Sequence, residues 1–287
     1  MLDFDALWDY NQPEETEQKF ISLLMQAEDS GNIGYLAELL TQIARSQGLQ
    51  AKCRIAHETL DRAERLLKED LVVARIRYFL ERGRVFNSSS RSMDAIPLFL
   101  NAWELGIQSS EDYYAVDAAH MLGIAESTPE KRMEWNLKAL DYAEKSPKAS
   151  HWLGSLYNNI GWAQVEKGKL EEALELFKRA LEFRKVQGTP NSVFIAKWSV
   201  AKVLRLMGQV DESIAIQMEL LAETEQTSEP DGYVYEEVAE CLLLLNRSEE
   251  ARQYFSFCYD RLILDNFLAT KDPERIVRIK ELAGRSV

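Results

Sequence analysis

Small residues return in pairs along this chain at a fixed spacing, and the pairs themselves recur about every forty residues. Aligning Ala56, Ala95, Arg132, Ala173, Ser213 and Ala251 gives steps of 39, 37, 41, 40 and 38 residues. Seven residues beyond each stand Ala63, Ala102, Ala139, Ala180, Leu220 and Cys258. Twelve residues before each stand Ala44, Gly83, His120, Gly161, Ala201 and Ala239. Only five of these eighteen positions hold anything other than Ala or Gly. Residues seven apart on one helix share a face, and two helices cross closely only where that face is small. A third small residue twelve earlier suits the preceding helix of a packed helix–turn–helix unit. A fixed period of this length predicts units stacked along one axis, each buried against its neighbours, in place of a single globular core.

Composition agrees. Hydrophobic residues make up 46% of the 287, enough for a continuous core. Glycine and proline number only 13 and 7. They gather at presumed turns: Gly31-Asn32, Ser127-Thr128-Pro129, Ser146-Pro147, Gly188-Thr189-Pro190 and Glu229-Pro230-Asp231. Helix formers dominate between the turns, and no long β-branched alternation occurs. The chain is expected to be all-α, with about fourteen helices: one near 14–29, six pairs, and one near 272–284. Pro13-Glu14-Glu15 opens the first with proline and acid where a helix N-terminus favours both. Ile276, Ile279 and Leu282 form an apolar stripe on the last, which is expected to cover the final repeat. Residues 1–11 lack helical periodicity and are expected to be dispensable for folding; Leu2, Phe4, Leu7 and Trp8 among them suit docking into the chain's own groove or a neighbour's.

The segment 156–182, LYNNIGWAQVEKGKLEEALELFKRALE, resembles the tetratricopeptide repeat. Tyr157, Gly161, Gly168, Ala173, Phe177 and Ala180 stand where that family places them. Segments 194–221, 232–259 and 76–103 match more loosely, and 37–64 and 113–140 most weakly, with His120 and Arg132 where small residues belong. The units exceed 34 residues by several, as in the long-helix variety found in kinesin light chains and bacterial signalling regulators. The resemblance covers residues 31 to about 260. It implies a right-handed α-solenoid of about six hairpins with capping helices at both ends, one domain over 1–287. Residues 1–30 would form the N-terminal segment and cap, 31–260 the repeats, and 261–287 the C-terminal cap.

Charge is uneven. The chain carries −13, yet residues 1–30 hold eight acids and one lysine, and residues 211–240 hold ten acids and no base. A solvated face accounts for this, and so does an acidic pole attracting a basic segment of a partner. Nucleic acid is disfavoured because phosphate binding needs a basic stripe. No run of about 18 apolar residues occurs, and the N-terminus does not suit a signal peptide, so a cytoplasmic location without membrane insertion is expected. Cys53, Cys241 and Cys258 show no C-x-x-C spacing, and the register places Cys241 and Cys258 on buried faces. His57, His120 and His151 have no ligand partners one turn away. No nucleophile elbow, phosphate loop or dinucleotide fingerprint occurs, so neither catalysis, cofactor nor metal is expected.

The groove remains. In the family it resembles, the first helix of each pair lines a concave wall. That register points Arg45, Arg77, Arg84, Tyr114, Asp117, Met121, Asn158, Trp162, Trp198, Lys202, Arg205, Tyr233, Glu236 and Glu240 inward. Arginine and aromatic side chains dominate binding hot spots, and arginines can grip carboxylates bidentately. Alternatively, the arginines cover apolar helix surface and Trp162 and Trp198 pack between helices. The family's carboxylate clamp is not carried over: Asn158 and Asn159 suit it, but Ile195 and Ser199 stand at the matching places in the next repeat. The expected function is an adaptor binding a peptide or helix of a protein partner. A self-associating solenoid and a peptide-sensing domain are the alternatives; the first thirty residues are too short and acidic for the DNA-binding segment that usually precedes the latter.

Overall fold

The computed structural model describes residues 4–226 and 231–285. They form sixteen α-helices and no strand. Two compact units emerge, residues 1–156 and 157–287. The first contains α1 (Pro13–Ser22), α2 (Leu24–Asp29) and the hairpins α3 (Ile33–Leu49) with α4 (Cys53–Glu64), α5 (Val72–Ser88) with α6 (Ser92–Gln108), and α7 (Asp112–Ala125) with α8 (Pro129–Lys145). A short 3-10 turn, Pro147–Trp152, follows, and α9 (Leu153–Glu166) carries the division. The second contains α10 (Leu170–Gln187), α11 (Pro190–Leu206) with α12 (Val210–Gln226), α13 (Gly232–Leu244) with α14 (Ser248–Leu262), α15 (Asn266–Lys271) and α16 (Pro273–Leu282). The helix expected near 14–29 breaks at Leu23, and α15 is an addition that sequence periodicity did not suggest.

The small residues do what their spacing requires. Ala44, Ala56, Ala63, Ala95, Ala102, Ala173, Ala180, Ala201, Ala239 and Ala251 are all fully buried. Gly83 faces the ring of Phe99 and Gly161 the ring of Phe177 so closely that a Cβ would stand 2.5 and 2.8 Å from ring carbons. Each phenylalanine lies four residues past the small residue of its own helix, and Phe255 repeats the arrangement in α14. The third hairpin departs from the register. His120 is only half buried and Arg132 is exposed; Gly123 instead receives Asn136, whose Oδ1 lies 2.7 Å from where a Cβ would be. The close crossing has moved three residues along α7, which corrects the alignment at this repeat.

The moved crossing accompanies a different turn. Five hairpins end their first helix in one motif: Ala51, Ser90, Gly168, Gly208 and Asn246 adopt φ of 57, 61, 72, 80 and 59°. The following amide reaches back over the last turn, as from Lys169 N to Gln164 O at 2.9 Å and from Lys52 N to Gln47 O at 3.0 Å. This is the Schellman arrangement, which satisfies the orphan carbonyls of a helix end. The third hairpin instead leaves α7 through extended Glu126 to Thr128, whose side chain caps α8 at Lys131 N.

Candidate functional site

In residues 1–156, α3, α5 and α7 pack side by side and bring together Arg45, Arg77, Arg84, Tyr114, Asp117 and Met121, six of the fourteen residues of the expected register. Arg45 donates to Glu81 at 3.0 Å, and Arg84 bridges the same Glu81 at 2.5 Å and Asp117. Arg77 pairs with Glu38 at 3.3 Å. Glu81 and Asp117 are buried, so each acid sits where it would be costly without its arginine. Met121 lines a cavity of about 220 Å³ with Arg45, Glu81 and Arg84. His120 beside it is held below the ordinary histidine range by burial, with Arg84 reinforcing and Asp117 opposing, and so stays neutral near pH 7.

The chain's own N-terminus lies across this wall. Phe4 is 5% exposed; its ring stacks on Tyr35 at 4.9 Å and meets Phe20 edge-on at 6.1 Å. The Arg77 guanidinium lies 5.7 Å from the Phe4 ring and 5.1 Å from that of Tyr114. Trp8 donates its indole N–H to Gln42 at 3.0 Å and stacks on Tyr10 at 4.8 Å. The Arg45 guanidinium stands 5.6 and 5.4 Å from those two rings. Thr16 fastens the backbone of Asp9 through both its N–H and its carbonyl. Residues 4–10 therefore cover apolar surface at α1 and α3, the docking onto the chain itself that was one of the two arrangements expected for Phe4, Leu7 and Trp8; Leu2 lies outside the described residues.

In residues 157–287 the aromatic register is half buried. Trp162 packs on Phe177 at 4.9 Å and reaches Trp198 at 5.9 Å; Lys202 places its ammonium 4.8 Å from the Trp198 ring. Both indoles thus serve the helix interface while keeping an edge accessible. The Asn158 Oδ1 is buried with no hydrogen-bond partner. Arg205 grips Glu237 bidentately at 2.7 and 3.1 Å, and Lys202 pairs with it at 3.0 Å. Burial would raise the Glu237 carboxyl, but the hydrogen bond from Arg205 and the charges of Lys202 and Arg205 hold it below the usual range. Tyr233 donates to Asp265 at 2.6 Å, while Arg275 and Arg278 of α16 pair with Glu236 and Glu240. The C-terminal cap is therefore fastened by charge as well as by the buried Ile279.

The sequence register named the arginines and Asp117 but not Glu38, Glu81 or Glu237. Glu81 stands four residues after Arg77 and three before Arg84, a spacing that signals a shared helix face. Glu237 follows Arg205 by 32 residues, Asp117 follows Arg84 by 33 and Glu81 follows Arg45 by 36, a ladder between adjacent first helices. Reversing Arg84 or Arg205 would set a carboxylate against a buried carboxylate, so neutral variants are required at both. Cys241 and Cys258 are buried, as the register placed them. Among the described residues no three His, Cys, Asp or Glu side chains are grouped to hold a metal ion, and no helix is long and apolar enough to cross a membrane.

Residues 134–185 match the family model described as tetratricopeptide repeat. Over 130 residues the chain is 28% identical to outer dynein arm-docking complex subunit 4 of Homo sapiens; the match takes in 45% of this chain and 18% of that protein. Among solved structures, a signal transduction ATPase with numerous domains and a tetratricopeptide repeat sensor from Pyrococcus horikoshii superposes with a TM-score of 0.71 at 14% identity. That likeness covers 86% of this chain and 40% of the other. NprR in complex with its cognate peptide NprX superposes with a TM-score of 0.53 at 16% identity, over 96% of this chain and 86% of that one. The tetratricopeptide repeat is thus matched in sequence over residues 134–185, and the chain shares the fold of a solved structure that carries a tetratricopeptide-repeat sensor.

Proposed function

We propose that the chain is a non-catalytic protein-interaction module whose wall of α3, α5 and α7 receives an extended aromatic and acidic segment of a protein partner. One observation supports this reading: residues 4–10 already lie on that wall as a guest would. Their sequence mixes aromatic and apolar side chains with two aspartates, and the Arg45 and Arg77 guanidiniums lie over the Trp8 and Phe4 rings. Both arginines are held in place by the chain's own carboxylates, so the recognition surface is preorganised. A partner segment of the same chemistry displaces residues 4–10. The partial relationship to a docking-complex subunit supports assembly, not turnover, as the activity.

The test removes residues 1–10 and titrates the truncated chain with a labelled peptide of residues 2–11. Truncation forfeits about 1.5–3 kcal/mol from Phe4 burial but leaves every hairpin intact. The truncated chain should bind the peptide saturably, and Arg45→Gln with Arg77→Gln should abolish binding. The full chain should bind at least about tenfold more weakly, because a tethered segment competes at millimolar effective concentration. A folded truncated chain that ignores the peptide overturns the reading. Full chain whose size rises with concentration and returns to monomer on truncation would assign the segment to a neighbour's wall, the self-associating alternative.

A further inference from the structure

We propose that a cavity in residues 157–287, between α11 and the start of α13, receives a lysine or arginine side chain from a basic segment of a protein partner. This deepens the interaction reading above and rests on it only in taking the chain to be a binder. The cavity, of about 350 Å³, is bounded by Asn191, Phe194, Ile195, Trp198, Asp231 and Tyr233. Phe194 and Trp198 stand one turn apart on α11, and the Trp198 and Tyr233 rings meet nearly at right angles, 79°, with centroids 6.4 Å apart. Three aromatic side chains around one carboxylate form a receptor for a cation, because ring faces and a fixed negative charge both favour it.

The surrounding charge selects the same guest. A second hollow of about 760 Å³ shares the Asn191, Phe194, Asp231 and Tyr233 walls and adds Glu223 and Asp265, with Arg261 the one cation among the described residues that line it. These acids are fixed in place: Asp231 accepts the Tyr233 and Val234 amides, Asp265 accepts the Tyr233 hydroxyl, and Glu223 pairs with Lys197 at 2.6 Å. Burial and Asp265 push the Tyr233 phenol up to about 12, so it stays neutral and adds no repulsion for Asp231. The chain already pairs both rings with cations of its own, Lys202 at 4.8 Å from Trp198 and Arg275 at 5.5 Å from Tyr233. Neither lines the cavity, which leaves its walls for a guest.

The probe is labelled acetyl-tetralysine amide, titrated into the full chain at low salt, with tetraglutamate as the control. Saturable binding of tetralysine alone is expected. Asp231→Asn keeps the helix cap, since asparagine caps as well as aspartate, and removes only charge. It should weaken binding about 3- to 10-fold, and Trp198→Leu about 5-fold or more. Phe194→Leu repeats the aromatic test should Trp198→Leu unfold. Glu212→Gln, at an exposed acid on α12 outside the cavity, should change nothing. The proposal is overturned if tetralysine does not saturate, if Glu212→Gln weakens binding as much as Asp231→Asn, or if folded aromatic variants bind normally. None of these outcomes touches binding of the residue 2–11 peptide by the truncated chain, so the two readings fail separately.

Discussion

Gly161→Ala isolates the close helix crossing on which the repeat depends. Alanine in a helix interior is favoured over glycine by about 0.8–1 kcal/mol, so propensity alone predicts stabilisation. The added Cβ, however, would stand 2.8 Å from both Cε1 and Cζ of Phe177. That ring is fully buried and lies against Trp162 at 4.9 Å, so it cannot swing aside without moving a second ring. Overpacking of this kind costs about 1–3 kcal/mol, and the expected net effect is a loss of up to about 2 kcal/mol. Gly48→Ala is the matched control, because its Cβ would meet only Val85 Cγ2 at an ordinary 3.5 Å. Placed in the last turn of α3, it should gain up to about 0.5 kcal/mol. Urea denaturation followed by tryptophan fluorescence reads both, Trp162 reporting beside the altered crossing. In a Phe177→Leu background the Gly161→Ala penalty should largely vanish, a coupling that identifies the ring as the obstacle. Equal stabilisation by Gly161→Ala and Gly48→Ala would refute the argument that close approach, and not helix propensity, requires glycine at 161.

Two further outcomes follow from the turns and the charge ladder. Ala51→Gly and Ser90→Gly should each raise stability by up to about 1 kcal/mol, because both residues hold the left-handed conformation that glycine adopts without a Cβ penalty; thermal melts that stay level or fall would contradict the turn geometry. Glu237→Gln leaves the half-buried Arg205 and Lys202 without their acid and should cost about 1–3 kcal/mol at pH 7. The Glu237 carboxyl is held below its ordinary 4.5 in the folded chain, so its contribution is present above that pH and lost as pH falls through the folded value. Denaturation from pH 7 to pH 3 should therefore show a steeper stability loss in the parent than in the variant; parallel curves would remove Glu237 from the account.

The repeat architecture was legible because it rests on local, periodic requirements. A helix crossing needs small residues at one spacing, and Ala44, Ala56 and Ala63 meet that need whatever surrounds them. The same logic placed Cys241 and Cys258 in the core. It failed at the third hairpin, where the Glu126–Thr128 turn shifts the crossing to Gly123, a backbone choice that no side-chain period announces. Arg45, Arg77, Arg84, Trp198 and Arg205 were likewise named, through the register that the repeat resemblance transfers onto the first helices. Their occupancy was not. Whether an arginine meets a partner's carboxylate or Glu81, Asp117 or Glu237 depends on which first helices lie side by side. That residues 4–10 fold back onto Arg45 and Arg77 depends on a contact 35 to 73 residues distant, weighed against the same contact with another molecule. Sequence by itself determined the repeating unit, since its energetics are settled within some forty residues. Only the tertiary structure decided which surfaces are already taken, because occupancy is a competition among distant groups for the same charge and the same ring.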